Sequence, residues 1–88
     1  MDQYQEFQSR LKTYRKTGSP QEAKKDEYWR IRLEAYDQLG YTEEAKFDKS
    51  PIIRRTAFLK LGWSLEALED VNEIIRQEAI RFFENKKD

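Results

Sequence analysis

Eighty-eight residues bound a single domain with one modest core, and 17 basic against 17 acidic residues leave no net charge with which to flood nucleic acid or an anionic membrane. The chain has neither cysteine nor histidine, which excludes disulfides, thiolate chemistry and the commonest general base and nitrogen ligand. A 14% aromatic share lets a few positions close a core in a chain that is 39% charged, and so argues against disorder.

Tyr4, Phe7, Leu11 and Tyr14 recur at steps of three and four, the spacing of one helix face, and predict a first helix over 3–16. Basic residues gather in its last turn, beside the negative end of the helix dipole, and Thr17-Gly18 stops it. Ser19-Pro20-Gln21-Glu22 then reads as a capping box with proline at the first helical position. The second helix is expected over 20–39, with Tyr28, Ile31, Ala35 and Leu39 inward and Trp29, Arg32 and Tyr36 on a flanking aromatic face. Thr42 caps a short third helix over 43–48, and Ser50-Pro51 opens a fourth over 51–61 with Ile53, Ala57 and Leu61 inside and Ile52 and Phe58 adjoining them. Ser64 caps a fifth over 65–84, whose stripe is Leu65, Leu68, Val71, Ile75, Ala79 and Phe82, with fraying from about 85 onward.

The string from Ala35 to Ala45 is nearly repeated from Ala57 to Ala67, an offset of 22 residues. Both copies run Leu-Gly-aromatic-Thr/Ser, which reads as a helix end with glycine at positive φ, an aromatic plug, and the cap of the next helix. Two such corners, with no alternating β-branched run or hairpin signal, predict an all-α compact bundle of about five helices in orthogonal or irregular packing, one domain over 1–88. Only two copies of the string, flanked by helices of different length, argue against a repeat array. Leu39-Gly40-Tyr41-Thr42 and Leu61-Gly62-Trp63-Ser64 resemble the first interhelical loop of ubiquitin-associated-like three-helix domains, and the second also resembles the hook after the DNA-binding part of MerR-type regulators. Each likeness covers one helix corner and implies no function or binding residue.

Function is read largely by exclusion. Three serines are explained as caps, and the glycines at 18, 40 and 62 are spaced as helix terminators and not as a phosphate cradle. Glu66, Glu69, Asp70 and Glu73 are explained as acids at a helix start, so no metal and no cofactor is expected, and no enzyme. The N-terminus is polar and no apolar run reaches spanning length, which predicts a soluble cytoplasmic protein without membrane contact. Aromatic residues in excess of the inward stripes, beside arginines, have the composition of interface hot spots. We therefore expect a protein-protein interaction module (adaptor, inhibitor or regulatory subunit) that binds another protein through Trp29, Arg32, Tyr36, Arg54, Arg55 and Phe58, and that forms a homodimer. The alternative is a nucleic-acid-binding regulator, with Lys46, Lys49, Arg54, Arg55 and Lys60 forming a basic ridge on a helix-turn-helix. The same arginines could instead be paired to acids of the fifth helix.

Overall fold

A computed structural model describes residues 3–85, over which the chain is all-α: five α-helices, two 3-10 helices and no strand among the described residues. The α-helices are α1 (Gln3–Thr17), α2 (Pro20–Ala23), α3 (Trp29–Leu39), α4 (Pro51–Leu61) and α5 (Glu73–Asn85). The 3-10 helices are Glu43–Phe47 and Leu65–Glu69. The chain divides into two compact units, Met1–Tyr41 and Thr42–Asp88. The expected fraying at the C-terminus lies largely outside the described residues.

In the first unit α1 lays Leu11 and Tyr14 against Ala23, Ile31 and Ala35, with Phe7 and Tyr28 closing the edge. Three polar ties fix this packing. Arg10 reaches the Asp26 carboxylate at 3.1 Å, the Tyr14 hydroxyl donates to Gln38 Oε1 at 2.8 Å, and Arg15 pairs with Glu34. In the second unit Phe58, Ala67, Ile75 and Ala79 form the core, flanked by Trp63 and Leu68. Ala35, Ala57, Ala67 and Ala79 are fully buried, so a larger side chain at any of them would have to overfill the interior.

Both expected corners are present. Gly40 has φ 91° and Gly62 φ 112°, with ψ near 145° in each, a region open to glycine alone. The glycine N–H closes its helix on the carbonyl of Tyr36 or Phe58, and the turn folds the next aromatic back over that same residue. Tyr41 thus stacks on Tyr36 at 5.5 Å, and Trp63 on Phe58 at 5.4 Å with rings only 6° from parallel.

Two long helices expected from the sequence are broken in the structure. The 20–39 helix is interrupted between Ala23 and Trp29, and the 65–84 helix between Glu69 and Glu73. The same device breaks both: the Asp26 carboxylate accepts the Tyr28 N–H at 2.9 Å and the Asp70 carboxylate accepts the Asn72 N–H at 2.8 Å, each offering the backbone a turn in place of a helical bond. Asp48 does the same to Ser50 before α4. The segment 43–47 winds as a 3-10 helix and not as an α-helix. Ser19, Thr42, Ser50 and Ser64 do stand at N-cap positions, but none makes a side-chain cap hydrogen bond. The inward stripes shrink accordingly. Leu39, Leu61 and Ile52 are exposed, as are Leu65 and Val71 in the segment where the fifth helix was expected to be continuous.

Candidate functional site

The breaks expose a register that runs well beyond the duplicated corner. At an offset of 22 residues Asp26, Asp48 and Asp70 are followed by Ile31, Ile53 and Ile75, by Arg32, Arg54 and Arg76, and by Ala35, Ala57 and Ala79. These residues do one job three times. The aspartate carboxylate turns the chain, the isoleucine and alanine are buried, and the arginine donates back to the aspartate's own carbonyl. Those last bonds measure 2.8 Å from Arg32, 2.7 Å from Arg54 and 2.6 Å from Arg76. The sequence-level signal was there to be read: an Asp five residues before an Ile-Arg pair, three times over.

The second unit carries the clamp furthest. Arg54 Nη1 serves the carbonyls of Asp48 and Lys49, while its Nε and Nη2 grip the two oxygens of Asp70 at 2.8 and 3.0 Å. Both partners are nearly enclosed, their side chains 11% and 7% exposed. Burial pushes the Asp70 pKa up, but the Arg54 hydrogen bonds, the Asn72 N–H and the charges of Arg54 and Arg76 outweigh it, so the carboxyl lies below its ordinary value. An acid held this firmly ionised and saturated with donors is a poor proton acceptor.

The structure places the expected partner-binding residues unevenly. Arg32, Tyr36 and Phe58 are buried at 9%, 5% and 1% exposure, and Arg54 is occupied by the clamp. Arg55 stands at the surface and pairs with Glu78 of α5 at 2.7 Å. Trp29 is half-buried, with the Arg30 guanidinium 5.0 Å from its ring, and lines an open hollow with Tyr4, Phe7, Gln8 and Tyr28. The basic residues fare similarly. Lys46 is 7% exposed, tied to Glu43 at 3.2 Å and set 5.4 Å over the Phe58 ring, whereas Lys49 and Lys60 are exposed. With Lys46 and Arg54 turned inward, the ridge 46–60 keeps fewer cations on its surface than its sequence carries.

What the expected set missed is apolar. On α4, Ile52 and Leu59 stand two turns apart on one face, 49% and 53% exposed, with Thr56 between them. In the same unit Phe47, Leu65, Val71 and Ile74 are exposed at 64% or more. Among the described residues no group of three or more acids could hold a metal ion, and no helix is long and apolar enough to cross a membrane. Comparison with protein-family models, with curated proteins and with solved structures finds no match to this chain.

Proposed function

We propose that the chain is a non-catalytic protein-protein interaction module whose recognition surface is apolar and lies chiefly on the second unit. One observation carries the reading: Arg32, Arg54 and the aspartates of the register are used internally, while large side chains such as Ile52 and Leu59 face water in a unit that buries Phe58, Ile53 and Ile75 almost completely. A unit that closes a core this well and still leaves such side chains outside has surface to spend on a partner. Arg55, beside Ile52 and Leu59 on α4, adds a charge at the rim, where it would set orientation more than affinity.

The test is capture from nuclease-treated and untreated host extract by the wild-type chain and by an Ile52→Asp, Leu59→Asp double variant, with sedimentation reading self-association in parallel. A protein retained by the wild type and lost from the variant, irrespective of nuclease, supports the module. Equal capture by both, or salt-sensitive duplex binding that vanishes with Lys49 and Lys60, removes it in favour of the nucleic-acid alternative.

A further inference from the structure

The register makes α4 and α5 comparable position by position, and they differ in what covers them. On α4, Arg54 uses Nη1 on carbonyls behind it and holds a carboxylate ahead of it with Nε and Nη2, and Phe58, four residues on, is 1% exposed under Ala67, Ile75 and Ala79. On α5, Arg76 uses Nη1 in the same way on the Asp70 carbonyl at 2.6 Å. Among the described residues no acceptor meets its Nε or Nη2. The residue at the Phe58 position is Ile80, and it is 40% exposed. An arginine fork already oriented by one backbone bond loses little entropy on accepting a carboxylate, which makes it an efficient bidentate receptor.

We propose that this face of α5 binds a polypeptide segment of the chemistry that α4 already holds: an aspartate at a helix entry, followed five and nine residues later by isoleucine and alanine. The carboxylate lies across Arg76 Nε and Nη2, and the isoleucine-alanine stripe covers Ile80. This rests on the interaction-module reading and supplies the class of partner for one of its surfaces.

The probe is a labelled peptide copying residues 64–85, titrated against the full chain by fluorescence anisotropy. Saturable binding is expected at or below roughly 100 μM, its weakness set by the ordering cost of a free short helix. Asn in place of the peptide's Asp70 lowers affinity at least tenfold, and so do Arg76→Gln and Ile80→Glu in the chain, while Lys12→Gln, at an exposed position of α1, leaves it unchanged. Circular dichroism checks that each variant folds, and should Arg76→Gln unfold, Ile80→Glu decides alone. Absence of binding to the wild type overturns the proposal. So does binding that persists in Ile80→Glu, which includes exchange of the peptide for the chain's own segment on α4. If the peptide fails while the Ile52→Asp, Leu59→Asp chain still loses its captured partner, the α5 face falls and the module stands.

Discussion

Asp26 in the first unit and Asp70 in the second occupy the same place in the register and turn the chain in the same way, yet they are held very differently. Asp26 takes one Arg10 bond, at 3.1 Å, from an arginine that is 43% exposed and shares itself with Glu6, Glu27 and the Tyr28 ring. Asp70 is gripped through both oxygens by an Arg54 that is nearly enclosed. The residue types and the sixteen-residue spacing are identical. What differs is the solvent each pair has given up, and therefore the cost of leaving one partner behind.

The comparison is broken most sharply at Asp70. Replacing it with Ala strands a buried guanidinium and removes the acceptor of the Asn72 N–H in the turn that precedes α5, so the second unit loses about 3–5 kcal/mol. Urea unfolding followed by Trp63 fluorescence in a Trp29→Phe background reads that unit. The same pair sets an acid limb. Because the folded Asp70 pKa lies below its ordinary 3.8, protonation favours the unfolded chain; the contribution is complete above that value and drains away as pH falls through the folded pKa. Asp70→Asn should remove this limb from the pH profile of stability, and an unchanged profile would show that the clamp contributes nothing.

The corners come next. Gly62 has open space where a Cβ would go, so only its backbone conformation forbids a side chain. Gly62→Ala therefore costs about 1–3 kcal/mol through strain, and Gly40→Ala a similar amount. A cost confined to Gly62 would show that the Tyr36–Tyr41 stack tolerates a shifted corner and the Phe58–Trp63 stack does not.

At the exposed end, Arg10→Ala should cost only about 0.5–1 kcal/mol, read from Trp29 fluorescence with Trp63 replaced by Phe. A loss as large as that at Asp70 would mean that α1 depends on its polar ties more than on Leu11 and Tyr14.

How much of this was legible in the sequence follows from the same physics. The all-α class, both glycine corners and the buried Ile31, Ala35, Ile53 and Ala57 follow from local signals: periodicity, a terminating glycine, a missing strand pattern. The broken helices do not, because an aspartate that accepts a backbone N–H two residues on looks, in sequence, like one more acid on a solvated face. Asp26 sat in a run of charges, and Asp70 in an acidic stretch that a helix dipole explained well enough. Arg32, Arg54, Tyr36 and Phe58 were expected at an interface because arginine beside an aromatic is interface composition, and the same pairing also closes an interior when a carbonyl or carboxylate waits for the guanidinium. Only the threefold recurrence of Asp, Ile-Arg and Ala at a fixed offset separates the two readings, and its Asp and Ile-Arg positions lie outside the eleven-residue string that is nearly duplicated at the corners.

The smallest expected effect tests a residue on which sequence and structure part company. Thr42 and Ser64 occupy equivalent N-cap positions, and both were expected to accept a hydrogen bond from the first turn. Thr42 is exposed and directs its hydroxyl toward the Glu44 carboxylate at 3.3 Å, while Ser64 Oγ is buried without a hydrogen-bond partner among the described residues. A working hydroxyl cap would make Ser64→Ala cost about 0.5–2 kcal/mol. An orphaned hydroxyl predicts the opposite, since alanine removes a buried polar atom that gains nothing from its surroundings, so the change should be neutral or stabilising by up to about 1 kcal/mol. Urea midpoints of Ser64→Ala and Thr42→Ala, measured side by side with Trp63 as reporter, decide it. A destabilised Ser64→Ala would restore the cap and with it the hydrogen-bond role the sequence assigned to that serine.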